Sequence, residues 1–178
     1  HRYSTTALVG GDAALAAPYE NGCFATLYLS PKDYHRIHMP CDGRLARMIH
    51  VPGALFSVNP TTARGVPGLF ARNERVVCVF DGGARGPFLL VLVGATIVGS
   101  MATVWHGVVN PPRPGTIRDW RYEGDQAIAL QQGADAATGL KMYRRALKLD
   151  PASVIGRVEL ARGLLQIDGE KGRKEADR

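Results

Sequence analysis

The stretch Tyr28-Leu-Ser-Pro-Lys-Asp-Tyr-His-Arg-Ile-His-Met-Pro-Cys-Asp-Gly43 carries the most informative pattern in this chain. Its histidines, His35 and His38, place two imidazoles that titrate near neutral pH within one short segment. Because histidine is the commonest general acid or base, the pair is a candidate site of proton transfer. The pattern His-x-x-His also occurs by chance, so two surface or hydrogen-bonded structural histidines are the alternative.

The whole stretch closely resembles the signature of the phosphatidylserine decarboxylase family. Further stretches resemble the same family in the same order along the chain: His1-Arg-Tyr-Ser4, Asn21-Gly22, Val51-Pro-Gly-Ala-Leu-Phe-Ser-Val-Asn59, Leu69-Phe-Ala-Arg-Asn-Glu-Arg-Val76 and Leu92-Val-Gly-Ala-Thr-Ile-Val-Gly-Ser100. We therefore predict a phosphatidylserine decarboxylase-like domain over residues 1–130, truncated at both ends, and a separate tail over residues 131–178.

The resemblance implies a mainly β fold with a few helices. It implies a carboxy-lyase that converts phosphatidylserine to phosphatidylethanolamine in phospholipid biosynthesis, with a pyruvoyl group as its cofactor. The family makes this group by self-cleavage of a zymogen, in which the serine of a Leu-Gly-Ser-Thr segment attacks the preceding carbonyl. An Asp-His-Ser triad activates that serine, and its histidine matches His38. His35 matches the histidine assigned to decarboxylation, as proton donor or acceptor near the substrate.

The family's partners are phosphatidylserine and the membrane surface. Its location is peripheral, on the cytoplasmic face of the inner or plasma membrane. In this chain the longest apolar stretch, Pro87 to Ser100, is too short for a spanning helix, which needs about 20 apolar residues. We therefore expect no transmembrane segment in the sequence given.

The pyruvoyl-forming segment is missing from this sequence. Residues 131–152 contain no serine, and the only serine after Ser100 is Ser153, which lies in Pro-Ala-Ser-Val. The triad's aspartate lies, in the family, before the position at which this sequence starts. A fusion, a rearrangement or a mis-joined reading frame would leave such a chain, which we expect to form no pyruvoyl group and to be catalytically inactive.

Between Cys23 and Trp120 the sequence is punctuated like a β protein. Runs rich in β-branched or aromatic residues alternate with turn signals such as Asp42-Gly43 and Asp81-Gly82-Gly83. The predicted strands are Phe24–Leu29, Arg44–Val51, Arg75–Phe80, Phe88–Val98 and Thr103–Val109. With the tail included, the predicted fold class is α+β, mainly β, followed by a C-terminal helical hairpin.

The tail has helical rather than β periodicity. Apolar residues recur at helical spacing over 138–149 and 152–167, on either side of Asp150-Pro151. Met142-Tyr-Arg-Arg-Ala-Leu-Lys-Leu-Asp-Pro151 resembles the end of a tetratricopeptide repeat, although a hairpin packed on the β domain is the alternative. Since a stable stack needs about three repeats, the tail is not an independent solenoid. We expect one edge of the sheet to be left open or to be covered by these helices.

Charge and cysteine content exclude several classes of protein. The formal charge is +6, but the basic residues are scattered, which gives no stripe for nucleic acid and only weakly favours an anionic membrane. Three cysteines, Cys23, Cys41 and Cys78, have no paired spacing, so we expect reduced and mostly buried thiols. A zinc site at His35 and His38 would need further ligands, for which no spacing signal exists, and no metal is predicted.

Two hypotheses remain at the level of sequence. The first is an enzyme by descent, a phosphatidylserine decarboxylase working at the membrane surface. The second is a non-catalytic remnant or fusion that acts as a protein-interaction module, with a partner bound through the helical tail. We also expect His35 and His38 to lie at the end of the predicted strand Phe24–Leu29 or in the loop after it, exposed on one wall of an unfilled cleft. Arg72 or Arg75 is expected to pair with Glu74 or another acid.

Overall fold

The computed structural model describes residues 4–30, 33, 35–124 and 128–130, so the tail predicted as a helical hairpin lies outside the described residues. The described part is mainly β, with a few short helices. Its strands are β1 (Gly43–Val51), β2 (Arg75–Asp81), β3 (Pro87–Val93), β4 (Met101–Thr103), β5 (Gly107–Asn110), β6 (Arg118–Arg121) and β7 (Ile128–Leu130). Its helices are α1 (Thr5–Leu8), α2 (Ala13–Ala16), α3 (Pro60–Gly65) and α4 (Leu69–Arg72), with 3-10 turns at Ala17–Tyr19 and Gly83–Arg85.

Five of the strands form one antiparallel sheet in the order β3-β2-β1-β6, and β7 also pairs with β1. The last two strands share one side of β1, because β6 pairs with Arg47 to His50 and β7 pairs with Gly43 to Leu45. The remaining strands, β4 and β5, form a separate antiparallel hairpin. β3 is therefore the last strand of the sheet on the side opposite β6 and β7.

The predictions for the two central strands are confirmed. β1 and β2 begin and end within one residue of the predicted bounds, and they pair along their length with one irregularity between Leu45 and Arg47. Both strands are rich in β-branched residues and are bounded by glycine, proline or aspartate, the conditions under which strand prediction works best. They carry the core of the molecule.

The other strand predictions need correction. The segment Phe24–Leu29 is not a strand: it pairs with no strand in the described part and is exposed, with Phe24 at 67% and Leu27 at 82%. The predicted strand Phe88–Val98 ends at Val93. The chain turns at Gly94, and the backbone N–H of Ala95 then donates a hydrogen bond to the carbonyl of Val98 at 2.9 Å.

The predicted strand Thr103–Val109 is instead a hairpin. β4 ends at Thr103, and the hydroxyl of Thr103 accepts a bond from the amide of His106 at 3.3 Å across the turn. Gly107 then has a φ of 83°, in the left-handed region that favours glycine, and begins β5. The apolar composition of this run gave no signal for the reversal.

Each face of the sheet packs against its own apolar cluster. On one face the β4–β5 hairpin and the partly buried Trp105 and Trp120 cover buried residues that include Leu45, Met48 and Phe80. On the other face the N-terminal helices bring Val9 and Ala16 against Ile49, Val51 and Val77. Burying a side chain of this size contributes about 1.5–3 kcal/mol, so the two clusters account for much of the stability.

The prediction that the thiols are mostly buried holds for one of the three cysteines. All three are free, but Cys23 is exposed, Cys41 is partly buried and only Cys78 is buried. Burial raises the pKa of the Cys78 thiol to about 12, so it is inert at neutral pH. The other two sit in the irregular stretch before β1, where the predicted strand failed to form.

Candidate functional site

The histidine pair lies in an irregular segment that leads into β1. A turn precedes it, in which the Asp33 carboxylate accepts from the Ser30 amide at 2.8 Å and the Asp33 amide donates to the Ser30 carbonyl at 2.8 Å. The Nδ1–H of His35 then donates to the carbonyl oxygen of Asp33 at 2.6 Å. Since a carbonyl oxygen only accepts, this bond keeps the hydrogen on Nδ1 and leaves Nε2 to exchange a proton with another group.

The two histidines differ in exposure. His35 is partly buried and His38 is exposed, so neither lies in the apolar core. The next residue, Met39, is 7% exposed and joins the cluster that contains Leu45 and Phe80. Met39 thus anchors the segment beside the start of β1, while the imidazole of His38 stays accessible. The cleft wall that we predicted for the pair stays a prediction.

A second histidine site, which sequence analysis did not single out, lies toward the far end of β1. The Nε2–H of His50 donates to Oε1 of Glu74 at 2.8 Å, and the Nε–H of Arg113 donates to Oε2 at 2.9 Å. The side chains of His50 and Glu74 are 0% and 1% exposed, respectively. Nδ1 of His50 is also buried and has no hydrogen-bond partner among the described residues.

The charge of Glu74 is stabilised by its donors. Burial alone would raise the pKa of this carboxyl, but bonds from His50, Arg113 and Asn110 outweigh it, and the pKa is lowered. Arg113 also donates to the carbonyl of Gly99, and the side-chain Nδ2 of Asn110 donates to the same carbonyl at 3.0 Å. The carboxylate therefore joins β1, the start of β2 and the loop after β5, which is a structural role.

The expected pairing of Glu74 with a neighbouring arginine is wrong. The guanidinium of Arg72 lies 4.8 Å from the ring centroid of Phe56. Arg75 is buried and donates to the carbonyls of Leu8, Ala7 and Asn73 at 2.6, 2.7 and 2.9 Å, which fastens α1 to the sheet. The true partners of Glu74 lie 24 and 39 residues away in sequence, so no local pattern predicts them.

Two features are absent from the residues that the structure describes. Across the described part of the chain, no three His, Cys, Asp or Glu side chains come close enough together to hold a metal ion. Within the same residues, no helix is long and apolar enough to cross a bilayer. Of the two histidines in the segment before β1, His35 has its ring hydrogen placed on Nδ1 by the bond to the Asp33 carbonyl.

A family model and individual relatives both match this chain to the same family of proteins. A sequence model of the family described as "Phosphatidylserine decarboxylase" matches residues 1–144. The phosphatidylserine decarboxylase proenzyme of Variovorax paradoxus is 80% identical over 135 residues, which cover 76% of this chain and 47% of the relative. The proenzyme of Polaromonas naphthalenivorans is 78% identical over 137 residues, which cover 76% of this chain and 47% of that relative. The proenzyme of Azoarcus sp. is 78% identical over 135 residues, which cover 76% of this chain and 46% of that relative.

The chain thus spans about half the length of the curated relatives that it matches. The matched region includes both histidines, the strands of the sheet and the residues of the Glu74 cluster. The family match continues past residue 130, where we predicted the domain to end, as far as residue 144. On this evidence the chain belongs to the phosphatidylserine decarboxylase family.

Proposed function

We propose that the family region of this chain is built to decarboxylate phosphatidylserine to phosphatidylethanolamine in phospholipid biosynthesis. The observation that carries the proposal is the identity of 80% over 135 residues to a protein named a phosphatidylserine decarboxylase proenzyme. Because the chain spans about half of that relative, the activity is assigned to the family region joined to the rest of such a protein. No observation favours the alternative of a protein-interaction module with a tetratricopeptide-like tail.

The two histidines take different roles in this proposal. His38 is the base that activates a serine for self-cleavage, which suits an exposed imidazole because the serine comes from a distant part of the chain. His35 moves the proton in decarboxylation. The hydrogen bond from His35 to the Asp33 carbonyl supports this role, because it holds the ring hydrogen on Nδ1 and leaves Nε2 to exchange a proton with the substrate.

The pyruvoyl group of the family does not fit this chain. Loss of carbon dioxide from an amino acid head group leaves a carbanion, and the cofactor supplies the electron sink for it. The group is made from a serine of the protein itself, and residues 101–152 contain none. Among the described residues, the nearest upstream serine is Ser100, whose hydroxyl donates to the carbonyl of Asn110 at 3.1 Å within the β4–β5 region.

A membrane surface is the proposed partner, on the cytoplasmic face of the inner or plasma membrane. Exposed apolar side chains cluster in sequence around the histidine pair: Phe24 is 67% exposed, Leu27 82% and Ile37 55%. Side chains of this kind bind the apolar part of a bilayer interface when they are exposed together. The net charge of +6 adds attraction to anionic lipids such as phosphatidylserine.

A chimera tests the proposed activity. Residues 1–130 of this chain would replace the matching part of the Variovorax paradoxus proenzyme, which supplies the remaining segments. We expect the chimera to cleave itself into two chains and to release carbon dioxide from phosphatidylserine in detergent micelles. A folded chimera that cleaves itself but leaves phosphatidylserine intact would contradict the proposed substrate.

The chain as given needs a separate measurement. We expect its intact mass to equal that of the uncleaved 178 residues, with no loss that would mark a pyruvoyl terminus. Two bands on a denaturing gel, one of them blocked to N-terminal sequencing, would show that another serine replaces the missing one. Cleavage before Ser153 would identify which serine does so.

A further inference from the structure

The turn before the histidine pair is closed by hydrogen bonds in both directions. The backbone amide of Asp33 donates to the carbonyl of Ser30 at 2.8 Å, and the carboxylate of Asp33 accepts from the backbone amide of Ser30 at 2.8 Å. The second bond has an ionised acceptor, and bonds of that kind are stronger than bonds between neutral groups. The side chain of Asp33 therefore fixes the backbone of its own residue relative to Ser30.

The backbone of the same residue holds the imidazole of His35. The carbonyl oxygen of Asp33 accepts from Nδ1 of His35 at 2.6 Å, across only two residues of chain. A bond over so short a loop ties the direction of the ring to the direction of the carbonyl, because the ring cannot rotate without breaking it. Since the carboxylate fixes the residue that carries this carbonyl, the orientation of the His35 ring depends on the Asp33 side chain.

His35 depends on this turn more than His38 does. His38 is next to Met39, whose side chain is 7% exposed and packs in the apolar core. His35 lies four residues before Met39, and the residues from His35 to Met39 form no helix or strand. The nearer fixed point for His35 is the Asp33 carbonyl, to which its ring is bonded.

We propose that Asp33 is a positioning residue for His35. Its carboxylate closes the turn, so that the carbonyl of the same residue holds the imidazole with hydrogen on Nδ1 and with Nε2 free to exchange a proton with the substrate. The inference rests on the proposed function for the identity of that substrate. A hydrogen bond to one ring nitrogen decides which tautomer is present and so which nitrogen can act as a base. An imidazole without such a bond exchanges between both tautomers and offers the lone pair of Nε2 for only part of the time.

A turn with a structural role alone is the alternative, and Asp12 is an example of one. The carboxylate of Asp12 accepts from the backbone amide of Leu15, also three residues away, at 2.9 Å, and it pairs with Arg47 at 2.9 Å. The carbonyl of Asp12 accepts from the amide of Ala16 at 3.0 Å, within α2, rather than from an imidazole. The two aspartates therefore form a matched pair, in which only Asp33 is linked to a histidine ring.

The first test observes the tautomer of His35 in the full chain of 178 residues and requires no catalysis. Nitrogen-15 NMR in mildly alkaline solution, where imidazole rings are neutral, distinguishes a ring nitrogen that carries hydrogen from one that carries a lone pair. The signals of His35 are assigned by their absence in His35→Gln. Because Asp33 is exposed, its replacement should leave the fold intact, which circular dichroism checks.

We expect hydrogen on Nδ1 of His35 in the wild type and in Asp12→Ala, and a mixture of both tautomers in Asp33→Ala. Asp33→Asn keeps an acceptor oxygen for the amide of Ser30 and should restore the Nδ1–H tautomer. Hydrogen on Nε2 in the wild type, or hydrogen that stays on Nδ1 in Asp33→Ala, would overturn the proposal.

The second test measures activity in the chimera with the Variovorax paradoxus proenzyme. Asp33→Ala should leave self-cleavage and KM unchanged but lower kcat for decarboxylation by at least about tenfold, a part of the roughly 10²–10⁴-fold that a positioned acid or base supplies. Asp33→Asn should recover most of that rate, and Asp12→Ala should keep both reactions. Equal kcat in Asp33→Ala and Asp12→Ala, or a kcat in Asp33→Asn as low as in Asp33→Ala, would contradict the positioning role.

Failure of this inference and failure of the proposed function give different results. An unsubstituted chimera that cleaves itself but leaves phosphatidylserine intact counts against the proposed function, and the tautomer of His35 in the full chain then decides the inference about Asp33. An active chimera in which Asp33→Ala keeps its kcat counts against the inference about Asp33 alone.

Discussion

The segment of His35 and His38 and the cluster of His50, Glu74 and Arg113 are two histidine sites at opposite ends of β1. The first is at least partly exposed, and in it His35 donates to a backbone carbonyl two residues away. In the second, His50 and Glu74 are buried while Arg113 reaches the surface, and Glu74 lies 24 and 39 positions from its two partners in sequence. One residue type thus stands in two environments: solvent-accessible rings, to which we assign proton transfer as a proposal, and a buried ring that cross-links the fold.

From this difference we expect the two sites to respond differently to substitution. When an amide replaces the buried Glu74 carboxylate, one acceptor oxygen remains, but the other donor faces an NH2 group and the negative charge is lost, which weakens the junction of β1, β2 and the loop after β5. Replacing an imidazole at the surface leaves no buried polar group unpaired, because water reaches the site. The comparison therefore predicts large losses of stability at one site and losses of activity alone at the other.

The largest effect on stability is expected for Glu74→Gln. It removes the charge that Arg113 and His50 share, so the free energy of unfolding should fall by about 2–4 kcal/mol. Urea unfolding followed by circular dichroism measures it. Glu123→Gln, at an exposed carboxylate, is the control and should stay within about 0.5 kcal/mol of the wild type. Equal stability of the two variants would remove the distinction between the sites.

A pH series tests the same carboxylate without a second substitution. The pKa of Glu74 is lower in the folded protein than its ordinary value of 4.5, so its ionisation stabilises the fold above that value. This contribution should decline as the pH falls below 4.5 and disappear once the pH is below the lowered folded pKa. The difference in stability between wild type and Glu74→Gln should therefore narrow in acid. A constant difference would mean that the charge of Glu74 is not what stabilises the junction.

A smaller effect is expected when the donor rather than the acceptor is removed. His50→Leu leaves one oxygen of Glu74 without its donor and should cost about 1–3 kcal/mol. His38→Gln, at the exposed histidine, should change the free energy of unfolding by no more than about 0.5 kcal/mol. Thermal melts of both variants and of the wild type measure these changes in stability. Equal losses of stability in the two variants would contradict the prediction that the buried histidine matters more to the fold than the exposed one.

Much of the sheet was predictable because local sequence determines it. β1 and β2 are long, rich in β-branched residues and bounded by turn residues, so their ends could be placed closely. β6 was missed because Arg-Asp-Trp-Arg has no apolar run, and it forms by pairing with β1. Phe24–Leu29 has the composition of a strand, but composition cannot supply a neighbouring strand.

Of the two histidine sites, the sequence predicted the first and missed the second. His35 and His38 were found through a short motif and a family resemblance, which require no knowledge of contacts. The Glu74 cluster was missed because its three side chains come from β1, the start of β2 and the loop after β5, and only the folded sheet brings them together. Long-range polar clusters of this kind leave no periodic signal in a sequence.

The most direct test of the account replaces each histidine in turn in the chimera with the Variovorax paradoxus proenzyme and measures self-cleavage and decarboxylation separately. We predict that His38→Gln blocks self-cleavage, that His35→Gln still cleaves but loses decarboxylation, and that His106→Gln, at an exposed histidine in the β4–β5 turn, retains both. Normal cleavage by His38→Gln together with normal decarboxylation by His35→Gln would contradict the assignment of chemistry to this segment.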